Sequence, residues 1–309
     1  MTNLEWLLGG DPVIAHLVKK YLLNEPTETQ NQGLIQRYLD LLDPQTMKWG
    51  NGFYGPKWVS THYTLMELKY MEIMPKTPVY TESLLHYMDH EWEKNINKYG
   101  IDTMDLCITG MLINLVSYAK IQDPRLNQMI DYTLRRTMPD GAWNCCWHRK
   151  PRPHISSVHT TINVLEGLAE YIQQGYTYRL EEVQAAIERG IQVLMVRQLI
   201  YKKNTDTPIH PSMTEHHYPA RWKYDYLRIL ELLARIGHSY QKEMEPALSV
   251  LKGHLKNGKL TKGTRISGLT HFKLETEKYG RFNTFRAYVV LKAYYPEVYQ
   301  NCIAEEFKE

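Results

Sequence analysis

The sequence predicts an all-α protein in which pairs of helices close into an α/α toroid. Three observations favour this fold class. Apolar residues recur at the i, i+3, i+4, i+7 spacing of helices that bury one face. Similar helix starts return along the chain, and the alternating apolar runs that are typical of strands are scarce.

Residues 1–47 are predicted to form a short helical extension that precedes an α/α-toroid domain over residues 48–309. Within the domain, a Gly or Pro followed closely by a basic–aromatic pair introduces a helix three times. Two further helices start without this pair, after Asp102 and after Ser156-Ser157. The three basic–aromatic starts are Gly55-Pro56-Lys57-Trp58, Pro219-Ala220-Arg221-Trp222 and Gly280-Arg281-Phe282.

An apolar stripe follows each of these five starts and marks the helix that it introduces. In chain order the stripes are Leu65, Leu68 and Met71; Met111, Leu112, Leu115 and Val116; Val164, Leu165, Leu168 and Ala169; Leu227, Leu230 and Ala234; and Tyr288, Leu291 and Tyr294. Successive starts are about 45 to 65 residues apart, which is enough for one helix out and one helix back. The spacing therefore predicts stacked helix pairs.

Closing such a series into a toroid places one helix of each pair on an inner ring. Because the inner helices run parallel, the residues that open them are expected to gather around one mouth of a central cavity. These residues are His62, Asp105, His159, Asp225 and Arg286. The predicted architecture thus places a functional site at this mouth.

Composition narrows the function classes. The chain has 309 residues, and 37 Lys and Arg against 34 Asp and Glu leave a formal charge of +3, too small to indicate a nucleic-acid-binding protein. No run approaches the roughly 18 consecutive apolar residues of a transmembrane helix. Four cysteines do not make a disulfide framework, and the N-terminus lacks the layout of a signal peptide, so we expect a cytoplasmic protein.

Several motifs carry a family resemblance. The segment Asp140-Gly141-Ala142-Trp143 resembles the DG-x-W repeat of terpenoid cyclases and protein prenyltransferases, the α/α-toroid superfamily. Over nearly its full length, the chain also resembles a small bacterial family described as squalene-cyclase-like or prenyltransferase-like. The motifs shared with that family are WLL-x-GDP (Trp6 to Pro12), PKW-x-ST-x-YTL (Pro56 to Leu65), C-x-TGM (Cys107 to Met111), DG-x-WNC-x-W (Asp140 to Trp147), HTT-x-x-VLEGLAEY (His159 to Tyr171), P-x-RW-x-YD-x-LR (Pro219 to Arg228) and NT-x-RA (Asn283 to Ala287).

The resemblance implies a terpenoid cyclase-like or prenyltransferase-like toroid that binds or transforms an amphipathic small molecule, such as an isoprenoid, in its central cavity. The aspartate-rich DxDD motif that starts cyclisation in squalene-type cyclases is absent from the sequence, as is the DDxxD motif that binds magnesium diphosphate. The resemblance therefore implies the fold more fully than the reaction. Whether the chain is an enzyme stays open.

The candidate catalytic residues are Asp225, His159 and Asp105, each near the start of an apolar helix. A carboxylate there is stabilised by the helix N-terminus, so helix capping is the alternative role for both aspartates. Asp225 lies between Tyr224 and Tyr226. An apolar cavity at that place would raise its pKa and make it an acid.

The candidate ligand-binding residues are aromatic and polar side chains near the helix starts. Indole faces can bind sugars, prenyl chains or cations, although packing between repeats is the alternative for each tryptophan. Nine Lys and Arg lie between residues 252 and 286, which favours either an anion site or an ordinary solvated face. The candidates are Trp58, His62, Trp147, His148, Trp222, Tyr224 and the anion-binding candidate Arg286.

Two groups of possible metal or proton ligands remain. We predict no cofactor, with zinc as an alternative because thiolate and imidazole are zinc ligands, although no C-x2-C pair occurs. The zinc candidates are Cys145, Cys146, His148 and His154. A second histidine group lies in the loop before Trp222, and we interpret it as solvated, with acid–base chemistry as the alternative. Its members are His210, His216 and His217.

The sequence leaves three functions open. The first is an enzyme or carrier for an amphipathic small-molecule ligand in the central cavity. The second is a non-catalytic module whose rim binds a protein or an anionic ligand at the basic segment. The third is a carbohydrate-active toroid, which needs an open cleft with two carboxylates flanking a bond. The oligomeric state is open as well.

Overall fold

The computed structural model describes residues 1–148 and 151–308, which fold into helices joined by turns and loops. This part of the chain contains isolated β-bridges but no β-strand, so the predicted all-helical class is confirmed. The α-helices are α1 (Asn3–Leu8), α2 (Pro12–Leu17), α3 (Leu34–Leu39), α4 (Thr61–Tyr70), α5 (Pro78–Met88), α6 (Asn95–Tyr99), α7 (Leu106–Tyr118), α8 (Pro124–Arg135), α9 (Val158–Gln173), α10 (Leu180–Met195), α11 (Tyr226–Arg235), α12 (Glu245–His254), α13 (Arg281–Tyr294) and α14 (Pro296–Ala304).

Shorter helical turns connect several of these helices. Two are π-helical, Val18–Leu22 and Asp89–Lys94, and each continues the α-helix before it. Three are 3₁₀ turns, namely Ile101–Thr103, Pro211–Thr214 and Lys242–Met244.

The chain divides into two compact units. The middle unit comprises residues 41–70 and 75–195. The terminal unit comprises residues 1–40, residues 71–74 and the chain from residue 196 onward. The first forty residues of the predicted N-terminal extension therefore pack within the terminal unit.

Helix pairing in the middle unit follows the predicted repeat. Helix α4 packs on α5, α7 packs on α8 and α9 packs on α10, so each helix out is followed by a helix back. Helix α7 also contacts α4, α5 and α9. Because neighbours surround it, α7 buries side chains on nearly every side, as its mostly apolar sequence requires.

The terminal unit contains two further pairs, α11 with α12 and α13 with α14. Helices α11 and α13 contact each other, and α13 also packs against α2 and the π-helical turn Val18–Leu22. All five predicted starts therefore introduce helices. The returning helices α5, α8 and α14 each begin with proline, which fits the first helical turn because that turn leaves its N–H groups unbonded.

Glu72 fixes the N-terminal segment inside the terminal unit. Its carboxylate accepts hydrogen bonds from Lys20 Nζ (2.6 Å), His16 Nε2 (3.1 Å) and the Tyr21 hydroxyl. Burial alone would raise the Glu72 pKa, but the hydrogen bond from His16 and the charge of Lys20 outweigh it and lower the pKa to about 2. The docking of residues 1–40 therefore includes a buried ionic contact as well as apolar packing.

A repeated threonine ties the loop before a helix to that helix. In the middle unit, Thr61 Oγ1 accepts the Trp49 N–H (3.1 Å) and Thr161 Oγ1 accepts the Trp143 N–H (3.4 Å). In the terminal unit, Thr284 Oγ1 accepts the Leu260 N–H (3.1 Å). The same bond therefore recurs at the starts of α4, α9 and α13, a repeat that the predicted basic–aromatic starts did not include.

The DG-x-W segment has a packing role in the middle unit. Asp140 Oδ2 accepts hydrogen bonds from Ser156 N (2.8 Å) and Ser156 Oγ (2.9 Å), which holds the chain that leads into α9. Trp143 is fully buried, and its indole N–H donates to the carbonyl oxygen of Thr133 (3.0 Å). Packing accounts for this tryptophan.

Candidate functional site

A carboxylate and an imidazole meet at the start of α11 in the terminal unit. Asp225 is the N-cap residue of α11, and its Oδ1 accepts the Arg228 N–H (2.8 Å). Its Oδ2 lies 3.1 Å from His217 Nδ1. Asp225 is fully buried and His217 is 4% exposed. The capping role and the contact with a titratable partner therefore coexist in one carboxylate.

The Asp225 contact defines which nitrogen of His217 is chemically available. An ionised carboxylate only accepts hydrogen bonds, so in the pair Nδ1 carries the proton and donates it to Asp225. The neutral imidazole then presents Nε2 as an acceptor that can take up a proton. Nε2 lies 3.8 Å from Glu215 Oε2, a distance too long for a hydrogen bond. The contact with Asp225 therefore fixes the orientation of the His217 ring.

Arg286 joins α13 to this cluster. Its Nε donates to Glu231 Oε2 (2.6 Å), and its Nη1 donates to the His217 carbonyl oxygen (3.0 Å) and to Asn283 Oδ1 (3.2 Å). Burial alone would raise the Glu231 pKa, but the charges of Arg286 and Arg235 outweigh it and lower the pKa. The predicted anion-binding arginine thus makes its described contacts inside the protein.

His216 and His217 correct one prediction from the sequence. Both are buried, so their interpretation as solvated loop residues is wrong, whereas His210 is exposed. His216 Nε2 donates to the Thr261 carbonyl oxygen (3.2 Å), and its Nδ1 accepts the Tyr226 hydroxyl (3.1 Å). Burial lowers the His216 pKa to about 4, so this imidazole is neutral and structural at pH 7.

Glu275 lies in the loop before α13 and has an unusual carboxyl group. Its Oε1 accepts the Phe282 N–H (2.9 Å). Burial raises the Glu275 pKa to about 7, although hydrogen bonds from Phe282 and Arg281 oppose the shift. The folded state therefore holds a proton that the unfolded state releases above its ordinary pKa of 4.5. Stability contributed by the protonated form is lost as the pH rises from about 4.5 to about 7.

Replacing Glu275 with Gln, which mimics the protonated carboxyl, is expected to stabilise the protein at pH 8 and to change little at pH 4.5. The expected gain at pH 8 is on the order of 1–3 kcal/mol in the free energy of unfolding. Urea denaturation at the two pH values measures it. The control is Glu188→Gln, an exposed glutamate of α10 outside this loop, whose substitution should have a similar small effect at both pH values. An equal effect of Glu275→Gln at both pH values contradicts the prediction.

A pair of thiols occupies the start of α7 in the middle unit. Cys145 Sγ accepts the Cys107 N–H (3.0 Å), and the Cys145 N–H donates to Thr160 Oγ1 (3.2 Å). Asp105, the N-cap residue of α7, lies close enough to oppose ionisation of Cys145. His159 precedes Thr160 at the start of α9 and is half-buried. The starts of α7 and α9 therefore meet through Cys145, which contacts Cys107 and Thr160 and lies near the predicted catalytic residue Asp105.

His62, a predicted ligand-binding residue, lies at the start of α4, and the surrounding protein buries its side chain. It is fully buried, with Nδ1 hydrogen-bonded to the Tyr87 hydroxyl (2.7 Å) and Nε2 3.3 Å from Met111 Sδ. Burial and the positive charge of Lys57 lower its pKa to about 3, so the ring is neutral at pH 7.

The aromatic candidates in the middle unit differ in exposure. Trp58 is buried edge-on against Tyr63 (ring centroids 4.6 Å apart). Trp147 is half-buried, and the Arg136 guanidinium lies 3.7 Å from its ring centroid. His148 is exposed beside Trp147. Trp147 is therefore the tryptophan of this unit that retains an accessible edge.

The two aromatic candidates before α11 belong to the terminal unit. Tyr224 is fully buried, and its hydroxyl donates to the Leu199 carbonyl oxygen (2.5 Å). Trp222 is half-buried. Tyr224 thus anchors the loop, and Trp222 is the more accessible of the two.

The zinc candidates are not brought together in residues 1–148 and 151–308. No group of three or more His, Cys, Asp or Glu side chains in these ranges is arranged to hold a metal ion. Cys145 pairs with Cys107 instead, and His148 and His154 are exposed. Cys107 was not predicted as a functional residue from the sequence. Its position two residues after Asp105, in the first turn of a predicted helix, was the feature that could have indicated it.

None of the helices in the described ranges has the length and apolar character required to span a bilayer. Comparison with known proteins finds no matching family model, no matching curated protein and no matching solved structure.

Proposed function

We propose that the chain is an α/α-toroid protein of the terpenoid cyclase and prenyltransferase type that binds an amphipathic small molecule and transfers a proton to or from it at His217. The observation that carries the proposal is the buried contact between His217 Nδ1 and Asp225 Oδ2 (3.1 Å). The sequence motifs and the succession of helix pairs support the fold. A cytoplasmic location, expected from the cysteine content, belongs to the same proposal.

The surroundings of His217 suit an amphipathic molecule. Tyr218, the next residue in the chain, stacks on Phe282 with ring centroids 4.0 Å apart, so the same loop carries a pair of apolar aromatic rings. Arg286 holds the His217 backbone through the carbonyl oxygen (3.0 Å), and Asp225 holds the ring. An imidazole fixed at both ends keeps Nε2 in one direction, which general acid–base catalysis requires.

Asp225→Asn tests the role of the pair. Asparagine is as good an N-cap as aspartate, so α11 is expected to keep its cap through the side-chain oxygen. The amide NH₂ then faces His217 and forces Nδ1 to accept, which moves the ring proton to Nε2 and removes the base. Nitrogen NMR of the His217 ring is expected to show the Nδ1–H tautomer in the wild type and the Nε2–H tautomer in the variant.

Function is tested with farnesol and farnesyl diphosphate as probes. Native mass spectrometry of the full chain is expected to detect one bound probe, or a co-purified apolar molecule, in the wild type and in Asp225→Asn. Conversion of the bound molecule, followed by chromatography and mass spectrometry, should be at least about 100-fold slower in the variant. The control is Asp11→Asn, because Asp11 caps α2 with backbone contacts only. Failure of the wild type to bind any apolar molecule overturns the proposal.

A non-catalytic role is the second candidate, and the contacts of Arg286 favour it. The Arg286 guanidinium already donates hydrogen bonds to Glu231, His217 and Asn283. These contacts favour a structural role for Arg286 over binding of a reacting anion. Binding of a probe without conversion in the wild type and both variants would assign the chain as a carrier.

A further inference from the structure

Two cysteines that are 38 positions apart in the sequence meet in the middle unit. The backbone N–H of Cys107 donates to Cys145 Sγ (3.0 Å). All four cysteines of the chain are free thiols in the structure. The sulfur of Cys145 therefore lies against the backbone of Cys107, and a disulfide between the two residues needs their side chains to meet in the geometry that an S–S bond requires.

The contacts around Cys145 favour its thiolate. The nearby Cys107 thiol and Thr160 hydroxyl lower the pKa of Cys145, and the Cys107 N–H donates to its sulfur (3.0 Å). These donors outweigh burial and the nearby Asp105, so the Cys145 pKa is lowered. The Cys107 N–H belongs to the first turn of a helix of 13 residues, whose dipole also stabilises a negative charge.

Cys107 is the complementary partner. Its pKa is raised, because it donates its proton to Cys145 and because it is buried beside that sulfur. One sulfur of the pair is therefore the nucleophile and the other the proton-bearing thiol. Both side chains are half-buried, whereas Cys302 in the terminal unit is buried. Reactive redox thiols combine partial exposure, a stabilised thiolate and a second cysteine in reach.

We propose that Cys145 and Cys107 form a redox-active dithiol, in which Cys145 attacks a low-molecular-weight disulfide such as glutathione disulfide and Cys107 resolves the product. This site is distinct from the His217 and Asp225 pair and does not depend on the function proposed for that pair.

The reaction proceeds by two thiol–disulfide exchanges. The Cys145 thiolate attacks one sulfur of glutathione disulfide, so a bond from Cys145 to that sulfur forms while the glutathione S–S bond breaks and one glutathione thiolate leaves. The thiolate of Cys107, after losing its proton, then attacks Cys145 Sγ and expels the second glutathione thiolate. The two protein thiols lose two electrons and two protons, and glutathione disulfide becomes two glutathione molecules.

Peptide mapping of the full-length protein tests the proposal. The protein is treated with glutathione disulfide in the presence of a metal chelator, quenched with iodoacetamide and digested with trypsin. Cys107 lies in the tryptic peptide of residues 99–120, and Cys145 lies with Cys146 in residues 137–149. The expected result is a disulfide that joins these two peptides. A vicinal link between Cys145 and Cys146, or no link at all, overturns the proposal.

Three variants separate the roles of the sulfurs. Cys107→Ser keeps the backbone N–H but removes the resolving thiol, so it should trap glutathione on Cys145. Cys145→Ser should abolish both the link and the trapped adduct. Cys146→Ser is the matched control, because it changes an equally half-buried neighbour, and it should form the link as the wild type does.

Alkylation rates give a second readout that does not require the disulfide. In the reduced wild type, Cys145 should react with iodoacetamide at pH 7 severalfold faster than Cys146, because the contacts of Cys145 favour its thiolate. Equal rates, together with an absence of trapped glutathione in Cys107→Ser, would show that Cys145 is an ordinary half-buried cysteine.

Discussion

Gly167→Ala is expected to destabilise the protein by about 3 kcal/mol or more, because α7 and α9 pack backbone against backbone. A Cβ atom at Gly167 would lie 2.2 Å from the Gly110 carbonyl oxygen. A Cβ atom at Gly110 would also clash with the backbone of α9, 2.6 Å from the Asn163 carbonyl oxygen. Backbone atoms of two packed helices cannot rotate away as a side chain can, so the helices must separate and lose contacts along their length.

The expected loss of stability at Gly167 includes an opposing contribution, because alanine has a higher helix propensity than glycine by about 1 kcal/mol. The steric clash must exceed this contribution. The matched control is therefore Gly253→Ala in α12, where an added Cβ meets no atom within 4 Å. That substitution should stabilise the protein by up to about 1 kcal/mol. Urea denaturation measures both variants. A neutral or stabilising Gly167→Ala would mean that the two helices are farther apart than described.

Periodicity predicted helices α4, α7, α9, α11 and α13 because their apolar residues recur on the faces that become buried. Leu112 and Leu115 in α7, and Val164 and Leu168 in α9, are buried as their spacing indicates. The threonine that holds the preceding loop at α4, α9 and α13 was a repeat that the sequence patterns did not include. Helix class and helix pairing could therefore be read from local patterns.

The clusters could not be predicted from local patterns, because they depend on contacts between distant residues. Cys107 and Cys145 come from different repeats, and no spacing rule for metals or catalytic cysteines joins them. The ionic contact at Glu72 could not be predicted for the same reason. The Glu72 carboxylate accepts hydrogen bonds from Lys20 and His16, which lie more than fifty positions earlier in the chain. His217 was named as a member of the histidine group before Trp222, but seven residues separate it from Asp225, and its burial depends on how that loop packs.

Helix starts supply candidate sites that serve two purposes at once. Asp225 was predicted as an acid with capping as the alternative, and the structure places the cap and the imidazole contact on different oxygens of the same carboxylate. Evidence for capping therefore does not argue against a chemical role. A useful substitution at Asp225 must keep the helix cap while removing the acceptor for His217. Asparagine does this and alanine does not, so asparagine is the more informative substitution.

Arg286→Met is expected to destabilise the protein by about 3–5 kcal/mol, because it leaves the Glu231 carboxylate in the interior without its closest cation. Arg286 is 5% exposed, and its Nε lies 2.6 Å from Glu231 Oε2. Arg235 also reaches Glu231, at 2.9 Å, but its side chain is 28% exposed. Arg235→Met is therefore the matched control, with an expected cost of about 1 kcal/mol or less.

Two further measurements distinguish loss of the ion pair from loss of packing. Without Arg286 the Glu231 pKa should rise, so the carboxyl becomes protonated at mildly acidic pH and the cost of Arg286→Met should be smaller at pH 4.5 than at pH 8. The double variant Arg286→Met with Glu231→Leu removes both charges and should recover at least about half of the lost free energy. If the cost is the same at both pH values and the double variant recovers nothing, Arg286 stabilises the fold through its packing and its bonds to His217 and Asn283 rather than through Glu231.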